Sequence, residues 1–441
     1  MKLSQDNYKI LVFLLSVLTL SSFFLGFYLD ENSAGAGGYQ GDFSHNWTNL
    51  KIFLNNNLFT AINSTDGSDL NNPYNSSRPP LVYIIHKLFN PFLENEISFR
   101  RSVFIISLAT PLLFYLCLRQ KFKKVDKILL LFISLIILLS PYYRTSAYWA
   151  LDENYGFISL LITFLLINKF LKSENTDSEY KKYIQIFLIT FFSSACIYFD
   201  QKLIIIPTIC FIKIILSKNI LKIKVTSILF YGVLSLPYIY LIILWGGLTV
   251  PFSAEGRGLG DRLFLGNIGY LSTMIAFYLL PLLIFKEKNL SSAIKNFFSY
   301  KKNYYLVSLF FIYLFYLLIF YDLEGESFVG KGFIYKISLI LFEDYFLQKI
   351  FIYFSFFVSW IIILIFINGN LEDSLILLYF FSFSIISSWL LQEYVDPLLL
   401  IMAFTFFSTK LYIRYKNSIF LFCYFSIFLI SSNVYYFYLL K

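Results

Sequence analysis

Long apolar runs, separated by short charged breaks, fill almost the whole chain. Runs of about 17–25 apolar residues are each long enough to cross the hydrocarbon core of a membrane as a helix. Read this way, the pattern predicts about thirteen spans, near 9–29, 99–118, 128–147, 155–171, 183–199, 202–217, 225–248, 267–285, 304–320, 350–367, 373–391, 396–410 and 418–438. Two shorter apolar pieces, 81–93 and 333–347, read as helices lying at the membrane interface. Lipid-exposed backbone must satisfy its own hydrogen bonds, so the expected fold class is an all-α polytopic membrane protein. Residues 1–441 then form a single transmembrane domain with a large first outer loop at 30–98 and a second at 321–349. Within the first loop, Trp47, Leu50, Phe53, Leu54 and Leu58 recur at helical spacing. That stripe predicts an amphipathic helix lying flat over 47–59, with Trp47 at headgroup level.

Composition supports the same class. The chain is 58% hydrophobic and 14% charged, whereas soluble domains carry about 25% charged residues. The run Ile10–Leu29 is longer than a signal-peptide core and lacks a small-residue cleavage site, so it reads as a retained first helix. With the N-terminus cytoplasmic, most of the 36 basic residues fall on one side, in breaks such as KFKKVDK and KEKNLSSAIK. This is the flank that orients membrane helices. The net charge of +9 therefore does not point to nucleic acid. Cys117, Cys196, Cys210 and Cys423 all lie inside apolar runs. No CxxC spacing occurs, so neither a disulfide framework nor a metal site is expected.

The same orientation collects the chemically distinctive residues on the opposite side, as a polarised bundle with one reactive face. Asp42, in GYQGDFSHNW, is a candidate general base for an attacking hydroxyl; the plainer alternative is a helix cap. His45 follows three residues later and could orient Asp42 or touch substrate. With only two histidines in the chain, a zinc site has little support. Arg78 precedes Pro79-Pro80 at the start of a helix and could grip a phosphate through parallel hydrogen bonds. Arg144, Asp152 and Glu153 crowd the turn SPYYRTSAYWALDENYG; charges at a bundle mouth are costly enough to suggest function, although Asp152 could also cap the next helix. Gln201 and Lys202 sit with Asp200 between two spans, where Lys202 could neutralise a lipid phosphate; an internally paired tight turn is the alternative. Arg257 lies in a glycine-rich loop without P-loop spacing, and Glu393 sits at an outer helix end in QEYVDP.

These residues resemble the GT-C membrane glycosyltransferases, with the nearest pattern in the dolichyl-phosphate-glucose α-1,2-glucosyltransferase family. GDFSH is similar to that family's first-loop motif of an acidic pair three residues before a histidine, with Gly41 in place of the first acid. SRPPLVY, Asp200-Gln201, WGGLTV and EYVDP are similar to its later motifs, with Gln201 retained from an Arg-Gln pair. At the level of overall plan the chain is also similar to protein O-mannosyltransferases and to the aminoarabinose transferases of lipid A. The resemblance implies many spans, a catalytic acid at Asp42, and substrate or lipid-phosphate contacts among His45, Arg78, Arg144, Asp152, Glu153, Gln201, Lys202, Arg257 and Glu393, with the donor phosphate held by some of Arg78, Arg144, Lys202 and Arg257. It also implies a polyprenyl-phosphate sugar as donor, a glycan, lipid or protein acceptor, membrane lipids as surroundings, no cofactor and no nucleic acid.

The resulting expectation is an inverting glycosyltransferase in a bacterial inner membrane, its site facing the periplasm. Phe, Ile, Asn and Lys enrichment suggests an AT-rich microbial genome. A lipid-linked-sugar flippase or polysaccharide transporter is the non-enzymatic rival, but it would carry buried mid-span charges along a path. An O-antigen polymerase or ligase is a third reading, though its large loop is expected late in the chain rather than first.

Overall fold

The structure is a computed structural model that describes residues 5–32, 41–66, 74, 76, 78–172, 178–250, 263–286, 290–299, 301–320 and 330–439. Among these residues the chain is all helical, with no strand and one isolated parallel bridge between Gly330 and Leu390. It gathers into two compact units. The N-terminal unit comprises Phe13–Gly256 with Ser426–Lys441, and the C-terminal unit comprises Met1–Val12 with Arg257–Phe425.

In chain order the first helices are α1 (Gln5–Tyr28), α2 (Ser44–Asn55), α3 (Leu58–Asn63), α4 (Leu81–Phe89), α5 (Glu96–Ser107) and α6 (Ala109–Lys121). There follow α7 (Lys127–Leu135), α8 (Pro141–Tyr148), α9 (Glu153–Lys172), α10 (Glu179–Phe199), α11 (Ile205–Leu216) and α12 (Leu221–Trp245). Further on lie α13 (Gly266–Leu279), α14 (Leu283–Lys286), α15 (Leu290–Ser299), α16 (Lys301–Phe320) and α17 (Gly332–Leu341). The last are α18 (Tyr345–Ile367), α19 (Leu371–Ser384), α20 (Leu398–Phe404) and α21 (Tyr415–Val434).

Eight helical segments among the described residues are long and apolar enough to cross a membrane. They become nine if Lys127–Leu139 and Pro141–Tyr148, bent by 74°, count as one. The chain is thus a multi-pass α-helical membrane protein by length and composition. Four stretches expected as spans form shorter helices: α11 has 12 residues, α13 and α19 have 14 each, and α20 has 7. Proline accounts for one of these. α13 ends at Leu279, just before Pro281, because a proline has no N–H to continue the helical ladder and its ring crowds the preceding turn.

The sharp bend before α8 also has a local cause. Ser140 is extended and its Oγ accepts from Tyr143 N at 2.9 Å, while Pro141 fills the first helical position. A hydroxyl cap and a proline at this place start a new helix in a new direction. Every residue of α8 is buried.

One expectation for the first loop needs correction. The stripe over 47–59 is two helices, α2 and α3, broken at Asn56-Asn57, and its apolar face lies against protein. Trp47 packs on Phe99 with ring centroids 5.6 Å apart, and Phe53 packs on Tyr83 at 5.7 Å. Leu50 and Phe53 are fully buried. Amphipathic periodicity marks an apolar face; it does not say whether lipid or protein covers it.

The N-terminal unit is chemically polar along its axis. At one end, Gln120 donates to Leu165 O at 3.2 Å and Lys172 donates to Gln120 O at 3.3 Å, among the lysine-rich ends of α6 and α9. At the other, the end of α1 and the start of α5 meet through Asp30 and Arg100, 2.7 Å apart. The carboxylates near α8, α9 and α10 lie at this second end.

Candidate functional site

The site is assembled where the turn between α8 and α9 meets the first-loop helices. α4 is preceded by Pro79-Pro80, and Arg78, just before them, lies beside the start of α9. Arg78 Nη2 donates to Glu153 Oε1, and its Nη1 lies 3.9 Å from Asp152 Oδ2. Tyr142, at the first turn of α8, donates to the same Glu153 oxygen. Asn46 of α2 reaches Asp152 Oδ1 and Ala150 O, both at 3.4 Å. Tyr83 of α4 donates to Asn46 Oδ1 at 2.9 Å and so fixes the amide's orientation. Lys202, only 6% exposed, pairs with Asp200 at 2.9 Å and lies over the Tyr142 ring.

Asp152, Glu153 and Asp200 therefore stand around Arg78, Lys202 pairs with Asp200, and Asp42 is near enough to act on Asp152, which brings four carboxylates and two cations into this part of the unit. Asp152 is 1% exposed. Burial pushes its carboxyl up to about 7; Arg78 opposes that, and Glu153, Asp200 and Asp42 add to it. Burial lowers the Arg78 guanidinium, but the surrounding anions outweigh it and hold the pKa well above its ordinary value. Asp152 Oδ2 and Glu153 Oε2 are buried without a hydrogen bond among the described residues. A buried acceptor left unmet costs on the order of 1–3 kcal/mol. The arrangement is thus loaded with negative charge and is able to take up a proton or a hydrogen-bond donor near neutral pH.

Asp42 is half-buried, in a short helical turn just before α2. The residue at the cap position of that helix is Phe43, in helical conformation, whose own side chain makes no capping hydrogen bond. The carboxylate lies close enough to Asp152 to help raise its pKa. The arrangement thus pairs a solvent-reachable acid with a buried one.

Comparison with family models, curated proteins and solved structures finds no match for the chain.

Of the residues expected in the site, Asp42, Arg78, Asp152, Glu153 and Lys202 come together. His45 is exposed on α2, and partial burial lowers its pKa. Arg144 is engaged elsewhere. Its Nε and Nη2 hold Glu31 at 2.9 and 2.6 Å, Nη2 also donates to Ser22 O, and Nη1 donates to Ser22 Oγ and Leu138 O. All five of its N–H donors are thereby occupied. Gln201 donates to Tyr238 OH and Leu248 O, both at 3.0 Å, and so ties the α10–α11 turn to the end of α12. Glu393 is half-buried in a short turn of the C-terminal unit. Arg257 lies outside the described residues.

Several participants are absent from the sequence reading. Asn46, Tyr83 and Tyr142 make the hydrogen bonds that position the acids. Arg100 stacks on Trp149 at 3.7 Å and pairs with Asp30. In the C-terminal unit, Lys331 is fully buried over the rings of Tyr270 and Tyr335, at 5.3 and 5.5 Å. It stands at φ +56° between two left-handed glycines, Gly330 and Gly332.

Proposed function

We propose that the chain is an inverting membrane glycosyltransferase that moves a sugar from a polyprenyl-phosphate carrier to an acceptor hydroxyl. The observation that carries this reading is the pairing of half-buried Asp42 with buried Asp152, whose carboxyl is pushed up to about 7, beside Arg78 and Lys202. Asp42 accepts the acceptor's hydroxyl proton, and the freed oxygen attacks the anomeric carbon. The bond from that carbon to the phosphate oxygen breaks, and the departing phosphate keeps the electron pair. Arg78 and Lys202 are the cations within this cluster that can meet its charge, through charge-assisted hydrogen bonds. Phosphate is a competent leaving group, so the step asks the protein for a base and for electrostatic stabilisation.

On this reading the carboxylate end of the N-terminal unit faces the periplasm of a bacterial inner membrane and the lysine-rich end faces the cytoplasm. The thirteen crossings are completed by the stretches that hold the shorter helices α11, α13, α19 and α20 together with the residues flanking them, since a seven-residue helix alone is too short to cross. The donor enters laterally from the bilayer, and the acceptor is a glycan, lipid or protein presented from the aqueous side.

The test is sugar transfer in proteoliposomes supplied with a polyprenyl-phosphate sugar. Asp42→Asn should lower the rate by at least about a hundredfold, the usual range for loss of a general base, with unchanged gel-filtration and thermal-unfolding profiles. Full activity in that variant removes Asp42 from its role. Mass spectrometry of glycolipids and glycans in a deletion strain would then identify the sugar.

A further inference from the structure

A cavity lies in the N-terminal unit, lined by none of the carboxylate cluster's residues. It measures about 440 Å³, within the usual range for small-molecule sites. Its polar end is formed by Glu31, Arg144 and Asn433, and its walls include Ile430, Val434 and Phe437. Both helices beside it, α1 and α21, are long and apolar enough to cross a membrane. Ser22, which binds Arg144, lies six residues before the end of α1 at Tyr28. At 1.5 Å per residue that is about 9 Å inside the helix end. A charged pair at that depth is expensive, and one that faces a cavity calls for a functional reading.

The chemistry of the polar end narrows the occupant. The Arg144 donors are all engaged, as described above, so the guanidinium has none to offer an anion without breaking a bond it already makes. Asn433 Nδ2 donates to Glu31 Oε1 at 3.3 Å and to Leu429 O at 3.2 Å. Its amide oxygen thus remains as an acceptor beside the Glu31 carboxylate. A phosphate would meet the Glu31 charge, whereas a hydroxyl or amide N–H would find two acceptors. Ile430 is 62% exposed, which leaves the apolar side open to the surrounding bilayer.

We propose that this cavity binds one membrane lipid with an uncharged, hydrogen-bond-donating headgroup. The head lies against Glu31 and Asn433, and a chain runs along Ile430, Val434 and Phe437. The site is independent of the sugar-transfer reading.

Photo-cross-linking in phosphatidylcholine nanodiscs tests it, with a photoactivatable diacylglycerol and a phosphatidic acid bearing the same chains. On the unaltered protein, peptides covering 429–437 should be labelled by the diacylglycerol well above the phosphatidic acid. Ile430→Trp, which fills the open side, should suppress that label, while Val233→Trp on the exposed face of α12 should not. Asn433→Leu should weaken competition by unlabelled diacylglycerol about tenfold, the loss of one hydrogen bond in an apolar setting. Equal labelling by both lipids, or labelling indifferent to Ile430→Trp, overturns the proposal, and the first comparison needs no variant.

Discussion

Replacing Asp152 by asparagine should stabilise the protein above neutral pH. The carboxyl is pushed from an ordinary value of 3.8 to about 7, with burial the largest cause. A raised value in the folded state means that folding favours the protonated form. The stability associated with this group is fully present below about pH 4 and is lost as the pH rises through 7. The shift is about three units, so at 1.36 kcal/mol each the cost of ionised Asp152 above pH 8 is about 4 kcal/mol as an upper bound. Asparagine keeps the shape and the bond to Asn46 and cannot ionise. The direct assay is infrared difference spectroscopy of the protonated carboxyl band during a titration. A band lost with a midpoint near pH 7 in the unaltered protein, and absent in Asp152→Asn, is the expected result. Thermal unfolding should agree, with the variant melting above the unaltered chain at pH 8.5 and the difference vanishing near pH 4. Arg78→Gln should move the midpoint above 7, because Arg78 is the group that opposes the shift. Absence of any carboxyl titrating between pH 6 and 8 would refute the argument.

Two further outcomes follow from the packing. Arg78→Met should cost about 3–5 kcal/mol in thermal or chemical unfolding, since it leaves Glu153 buried and uncompensated; adding Glu153→Gln should recover more than half of that loss. Gly26→Ala should lower the melting temperature by several degrees and release Arg144 from Glu31. A methyl there would lie 2.5 Å from Arg144 Nη2 and 2.7 Å from Tyr148 OH, a clash that outweighs the roughly 1 kcal/mol alanine offers in a helix interior.

The apolar pattern was most legible where it left no alternative. An uninterrupted run of membrane length at 9–29 becomes α1, at Gln5–Tyr28. It was least legible around Pro281, where apolar composition continues although the helix does not. Among the site residues, Asp42, Arg78, Asp152, Glu153 and Lys202 stood out because charge is scarce in this chain. Asn46, Tyr83 and Tyr142 could not stand out in the same way. The chain has 35 tyrosines, so no single one carries a signal, and only the fold shows which of them meet a carboxylate. Arg144 illustrates the converse error of emphasis: its charge was visible, while its saturation depends on Glu31 and Ser22, 113 and 122 residues away in the chain, which only the fold brings to it. Arg100 was hidden within the continuous pattern of a span.

The excess of acid over base has a consequence for the order of events in sugar transfer. A phosphate brought beside Arg78 and Lys202 adds negative charge to a cluster that already holds four carboxylates. Nearby anions raise a carboxyl's pKa, so donor binding should lift Asp152 further above 7 and draw a proton into the site. By linkage, the donor then binds more tightly to the protonated form, and its affinity falls as the pH rises. For a second shift of about one unit the affinity should drop about tenfold between pH 6 and 9. Asp152→Asn, already neutral, should bind the donor with an affinity nearly independent of pH over that range. Titration calorimetry in buffers of different ionisation enthalpy reads the proton uptake directly. A donor affinity equally flat in both proteins would mean that the phosphate does not approach Asp152, and that Arg78 and Lys202 serve the fold through Glu153 and Asp200 alone.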